Sequence, residues 1–136
     1  MPELHRSRFT APVSADLLAL AAESLQDAWR ADPSVPQEDR TRLDLAVSEV
    51  VSNVVRHGGS ATVLEMEVVV ASDSVAVRIE DDGAPVPAEV PDMPAADAVG
   101  GRGLAIATAV VDASACERER GRNVWNLRID RAPARP

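Results

Sequence analysis

The chain contains no lysine; all fourteen of its basic residues are arginine. A phosphate-binding P-loop needs its lysine, so the Walker-type NTPases are excluded. Aromatic residues make up 2% of the sequence, and Phe9, Trp29 and Trp125 are the whole set. Single-stranded nucleic acid is held on stacking platforms, and this chain lacks them. The formal net charge of −8 also argues against non-specific binding of a polyanion and predicts no direct nucleic-acid partner. An acidic protein can still hold a compact anion locally, with helix N-termini, an arginine or two and a metal ion. Cys116 is the one cysteine, so no internal disulfide forms, and a reducing cytosol suits the chain. Its plain reading is a small buried hydrophobe. No apolar run approaches the roughly eighteen residues of a membrane span, and residues 1–10 are polar, without a signal-peptide core. The expectation is a soluble cytoplasmic protein with no membrane partner. Neither H-x-x-x-H nor C-x-x-C spacing occurs, so no zinc site is expected. No nucleophile elbow occurs either.

What remains is a globular composition, 46% hydrophobic and 26% charged, over 136 residues. That length predicts one domain spanning 1–136, with a core of about 9–130. Residues 6–10 suit a short edge strand. Ser14 is a candidate N-cap for a helix reaching 31, with Leu17, Leu18, Ala21, Leu25 and Trp29 at helical spacing. A turn at 32–36 leads to a second helix over 36–57, striped by Leu43, Val47, Val50 and Val54 and closed by Gly58 at its C′ position. Residues 61–71 and 75–80 read as a hairpin of two strands. The stretch 81–101 holds four of the ten prolines. A loop that long inside a compact domain points to a functional lid, here about 82–100. A third helix is expected over 102–112, then strands over 113–118 and 123–130. Grouped helices and hairpin-paired strands make this an α+β protein. The expected architecture is a two-layer sandwich, three helices on one face of a mixed, largely antiparallel sheet.

The chemistry concentrates at three places. Glu49-x-x-x-Asn53 sets a carboxylate and an amide one turn apart, on the flank of the second helix's apolar stripe and beside Arg42 and Arg56. Glu49 read plainly is a solvated carboxylate paired with one of those arginines. Asn53 is a mediocre helix former well inside a helix, and its amide oxygen is a type of ligand that Mg²⁺ accepts alongside water and phosphate. Glu49 can then serve as general base near a γ-phosphate. Asp81, where the strand 75–80 ends, can accept a hydrogen bond from an adenine amino group, although Asp82-Gly83 is also a common turn. Gly101 and Gly103 allow close backbone approach to phosphates at the start of the third helix. Arg102 between them is the natural phosphate or transition-state cation.

These motifs resemble a known family. The run Asp44-Leu45-Ala46-Val47-Ser48-Glu49-Val50-Val51-Ser52-Asn53-Val54-Val55-Arg56-His57-Gly58 is similar to the N-box of the Bergerat-fold ATPases, which include gyrase, histidine kinases and mismatch-repair ATPases. Asp81-Asp82-Gly83 resembles their adenine-reading box, and Gly101-Arg102-Gly103-Leu104 their phosphate-facing box. With the closing hairpin Gly121-Arg122-Asn123-Val124-Trp125, the chain looks most like the stand-alone anti-sigma-factor serine/threonine kinases. The resemblance covers about 9–129. It implies the Bergerat ATP-binding fold with ATP and Mg²⁺ as cofactors. Glu49 becomes the catalytic base, Asn53 the metal ligand and Asp81 with Gly83 the adenine contact. Arg102, Gly101, Gly103 and Leu104 face the phosphates. The implied partners are a STAS-domain anti-anti-sigma protein, phosphorylated on serine or threonine, and a sigma factor; a homodimer is left open. The family's second box usually continues to another glycine, and here that position is Pro85. A non-catalytic or nucleotide-gated binding module for the same partners is the alternative. The ATPase half of a split histidine kinase is a third reading, disfavoured because no phosphoacceptor-histidine hairpin precedes the domain.

Overall fold

A computed structural model describes residues 3–57, 60–85 and 102–131. The elements run β1 (Glu3–Pro12), α1 (Leu17–Ala31), α2 (Gln37–His57), β2 (Val63–Ala71), β3 (Ser74–Asp81), α3 (Arg102–Ala109), β4 (Ala113–Glu119) and β5 (Arg122–Asp130). The five described strands form one sheet in the order β1-β2-β3-β5-β4. Every pairing among the described strands is antiparallel, which bears out the sandwich of three helices on a largely antiparallel sheet and leaves no parallel pair among them. The reason lies in the crossover. The segment holding α3 delivers the chain to β4 at the far edge, and a hairpin sends β5 back against β3.

Side chains on the strands alternate between faces. Leu64, Met66, Val68 and Val70 of β2, Val75, Val77 and Ile79 of β3, and Trp125, Leu127 and Ile129 of β5 all point inward and are buried. The helices cover that face: α1 packs on β1 and β2, and α2 packs on α1, α3 and β5. From α2 the stripe Leu43, Val47, Val50 and Val54 is buried as its spacing predicts, with Ala46 and Val51 added. From α1, Leu17, Ala21, Leu25 and Trp29 are buried, whereas Leu18 is 37% exposed. Truncating one of the fully enclosed leucines to alanine should cost about 2–5 kcal/mol. The other face of the sheet is uncovered by these helices and carries cross-strand ion pairs such as Arg6–Glu67 at 3.0 Å and Arg78–Glu119 at 3.4 Å. Exposed pairs of this kind contribute little.

Several boundaries differ from the sequence expectation. β1 is longer than 6–10, because β2 offers it a partner from Ala71 opposite Glu3 to Val63 opposite Pro12. α1 begins at Leu17 with Asp16 as N-cap and no side-chain cap bond, while Ser14 Oγ accepts the Asp16 N–H at 3.2 Å one step earlier. α3 ends at Ala109 rather than 112. Asp112 is drawn out of the helix by the sheet, since its carboxylate accepts the Asp130 N–H at 2.7 Å and bonds from Arg42 at 3.3 and 3.5 Å. The β4–β5 turn has Arg120 at φ 50° and Gly121 at φ 78°. Two positive φ values match the two-residue hairpin turn whose twist fits the strands. The expected Gly58 cap, the lid beyond Pro85 and the chain beyond 131 lie outside the described residues.

The turn between α1 and α2 is fastened from three sides. Asp32 Oδ1 accepts the Ser34 N–H at 3.1 Å, and Arg131 Nη1 reaches Asp32 Oδ2 at 2.7 Å and the Ala71 carbonyl at 2.8 Å. Arg40 donates to the Val35 and Pro33 carbonyls at 2.8 and 2.7 Å while its guanidinium sits 5.9 Å from the Trp29 ring centroid.

Candidate nucleotide site

Asp81 is the last residue of β3, the middle strand of the sheet. Its phase matches Val75, Val77 and Ile79, so its side chain points under the helices, and it is 2% exposed. A carboxylate buried there needs hydrogen-bond donors. Oδ1 accepts the Gly83 N–H at 2.8 Å and the Asn123 side-chain amide at 3.2 Å. Asn123 faces Asp81 across the β3–β5 pairing and is itself buried. Its amide also donates to the Ala84 carbonyl at 2.8 Å. Arg118, opposite Asn123 on β4, donates from Nη1 to Asn123 Oδ1 at 3.1 Å and to the Gly83 carbonyl at 2.8 Å. Asp81 Oδ2 takes part in none of these bonds among the described residues, where it is open to an outside donor such as an adenine amino group.

Asp82 has the opposite phase and a different role. It accepts bonds from Thr62 Oγ1 at 2.5 Å, the Thr62 N–H at 2.7 Å and the Val63 N–H at 3.1 Å. The Thr62 hydroxyl, then the two backbone N–H groups, hold its carboxyl down at about 2. The acidic pair at the end of β3 is therefore divided: Asp81 turns inward, and Asp82 locks the start of β2 to the end of β3.

On α2, Glu49 and Asn53 are partly exposed beside the buried Val50 and Val54. Neither has a side-chain hydrogen bond or ion pair among the described residues. Arg42, offered as a plain partner for Glu49, is committed instead to Asp39 at 3.2 Å and Asp112 at 3.3 Å. Arg56 is exposed. The carboxylate and amide thus stand on a helix that packs against α3, with their polar atoms unspent.

The phosphate-facing motif is described only in part. Arg102 opens α3, but its side chain, Gly101 and the surroundings of Gly103 lie outside the described residues. Leu104 is 8% exposed and belongs to the hydrophobic core, so its side chain faces the protein interior. Only its backbone N–H, in the first turn of α3, is of use to an anion. Cys116 is half-buried against the core, and burial pushes its thiol up to about 11, with Asp81 and Glu117 adding to the rise. It is the small packing residue the sequence suggested.

The donor set suits an adenine nucleotide with Mg²⁺. No group of three His, Cys, Asp or Glu side chains forms a metal cage among the described residues. Mg²⁺ does not require one, since it keeps waters and phosphate oxygens and takes one or two protein ligands. Asn53 is an unspent amide of that kind. Sequence reasoning missed Arg118 and Asn123 as parts of the site. The signal was available for Asn123: it is a polar residue, poor in strands, on the same phase as Trp125, Leu127 and Ile129.

A helix-covered antiparallel sheet, with a buried carboxylate at the end of its middle strand and a helix-borne Glu–Asn pair, defines a small nucleotide-binding ATPase domain. The family follows from the sequence match. The histidine kinase-like ATPase domain family matches residues 11–129, and the chain belongs to it. Among solved structures, the RsbU and RsbW domains of Rv1364c from Mycobacterium tuberculosis give a TM-score of 0.67 at 19% identity, covering 95% of this chain and 34% of that one. The catalytic domain of the histidine kinase ThkA gives a TM-score of 0.53 at 16% identity, covering 96% and 99%. This chain therefore spans about a third of the first structure and nearly all of the second. At these identities the likeness is one of fold. No curated protein matches the chain closely enough to count as a relative. No described helix is long and apolar enough to cross a membrane.

Proposed function

We propose that the chain is an ATP-dependent protein serine/threonine kinase and anti-sigma regulator, acting on a STAS-type anti-anti-sigma partner. The observation that carries this reading is Asp81, buried at the end of β3 with Oδ1 bonded and Oδ2 without a bond among the described residues. It supports an adenine site, as expected of this ATPase family. The Glu49–Asn53 pair, free of other partners among the described residues, supports transfer chemistry beside it.

In this reading Asp81 Oδ2 accepts from the 6-amino group of adenine, with Gly83 shaping the turn. The N–H groups at the start of α3, with Gly101, Gly103 and Arg102, receive the phosphates. Asn53 would hold Mg²⁺, which when bound would offset phosphate charge. Glu49 takes the proton of the partner's hydroxyl as its oxygen bonds to the γ-phosphorus. The bond to the β-phosphate oxygen breaks and ADP leaves. The kinship in fold with a structure containing an RsbW domain is compatible with the anti-sigma role.

Pro85 favours a second reading, a nucleotide-gated binding module for the same partners. It lacks an N–H, and it follows the Asp81–Gly83 turn where the resemblance expects a glycine. The test is incubation with Mg-ATP and the cognate STAS protein, followed by intact-mass measurement. A gain of one phosphoryl group on the partner, absent with Glu49→Ala, is expected. An unchanged partner mass in a complex that still binds ATP selects the binding module.

A further inference from the structure

We propose that Arg118 is a positioning residue for adenine recognition. From the edge strand β4, and through Asn123, it fastens the backbone turn that carries Asp81 and so sets the aim of that carboxylate. The inference rests on the adenine-site reading above and adds to it a residue outside every sequence motif.

The bonds form one connected unit. Arg118 Nη1 holds the Gly83 carbonyl at 2.8 Å and Asn123 Oδ1 at 3.1 Å. With its oxygen so engaged, the Asn123 amide has its Nδ2 aimed at the Ala84 carbonyl at 2.8 Å and Asp81 Oδ1 at 3.2 Å. Residues 81, 83 and 84 are thus tied to two side chains from neighbouring strands. A charged donor makes the stronger hydrogen bond, and a chain of such bonds polarises its members.

Two features argue that this arrangement serves the turn rather than the sheet. An arginine on a strand ordinarily pairs with a carboxylate on its own face, as Arg78 of β3 does with Glu80 at 2.6 Å. Arg118 turns to the face of its partner Asn123, opposite to that of the flanking Glu117 and Glu119, and its described bonds go to carbonyl and amide oxygens. The turn also lacks a backbone donor at Pro85, so no N–H there can close it. The side-chain bonds to the Gly83 and Ala84 carbonyls do that work. With Oδ1 of Asp81 saturated from Gly83 and Asn123, Oδ2 is the oxygen presented to the base.

The experiment compares ADP with purine riboside 5′-diphosphate, which keeps the sugar and phosphates but lacks the 6-amino group. Wild type should bind ADP at least about tenfold more tightly, the effect of one well-aimed hydrogen bond to a charged acceptor. Arg118→Ala should erase most of that preference by weakening ADP about tenfold, with the purine analogue within about twofold of wild type. Arg118→Lys should restore part of it. In the protein without nucleotide, the Gly83 amide should exchange with solvent several-fold faster in Arg118→Ala. Equal weakening of both ligands, or an undiminished ADP preference, overturns the positioning role, as does unchanged Gly83 exchange. Wild type that binds neither ligand overturns the adenine site itself. The exchange measurement still reads the fastening of the turn in that case, so the two failures are told apart.

Discussion

Asp82 offers the sharpest test of how the nucleotide-bearing end of the sheet is held together. Its carboxylate accepts the Thr62 hydroxyl and the N–H groups of Thr62 and Val63, and its pKa is held from 3.8 down to about 2. At about 1.4 kcal/mol per tenfold change in acidity, that depression sets a ceiling of about 2.5 kcal/mol on the ionised form's contribution to stability. The side chain is partly open to solvent, and screening brings the expected figure to about 1–1.5 kcal/mol. The folded pKa lies below the unfolded one. The stabilisation is therefore fully present above pH 3.8 and is lost as pH falls through about 2. The perturbation is Asp82→Asn, which keeps an acceptor for one N–H and removes the charge. Urea unfolding of both proteins at pH 7, 4, 3 and 2 gives the difference free of the other carboxylates. It should be about 1–1.5 kcal/mol at pH 7, roughly halved by pH 3 and small at pH 2. A difference that stays constant from pH 7 to pH 2, or none at pH 7, would refute the argument that ionised Asp82 joins β2 to β3.

Other outcomes follow from the same structure. Asn53→Ala should weaken Mg-ATP binding much more than metal-free ADP binding by calorimetry, because it removes a metal ligand and leaves the base contact. Asp81→Asn should weaken both, by about 1–3 kcal/mol. Glu49→Ala should leave the melting temperature close to wild type, since Glu49 is partly exposed with no described partner, while phosphoryl transfer falls roughly 10²-fold or more. Arg131→Ala leaves Asp32 buried without its ion pair and frees the Ala71 carbonyl. Denaturant titration should show a loss of about 3 kcal/mol.

The local patterns in the sequence determined the elements and their inward faces. A period of 3.6 placed Leu43, Val47, Val50 and Val54 on one side of α2, and all four are buried. Alternation did the same for Leu64, Met66 and Val68. These signals are local, because a residue's side of a helix or strand follows from its own spacing. The Glu–Asn pair and the acidic strand end were legible for the same reason. What tertiary structure alone decided were the meetings of residues distant in sequence. Asp81 faces Asn123 because β5 returns beside β3 after the crossover, a pairing selected by burial summed over the whole sheet. The same pairing made the sheet wholly antiparallel and brought Arg118 to the Gly83 carbonyl. Leu104 belonged to a phosphate motif by sequence and to the core by structure, because α2 and α3 pack together and a leucine at their seam is driven out of water. Asp81 and Asp82 are adjacent and chemically identical in sequence. Only the pleat of a folded strand, which turns successive side chains to opposite faces, made one a candidate base reader and the other a fastening between strands.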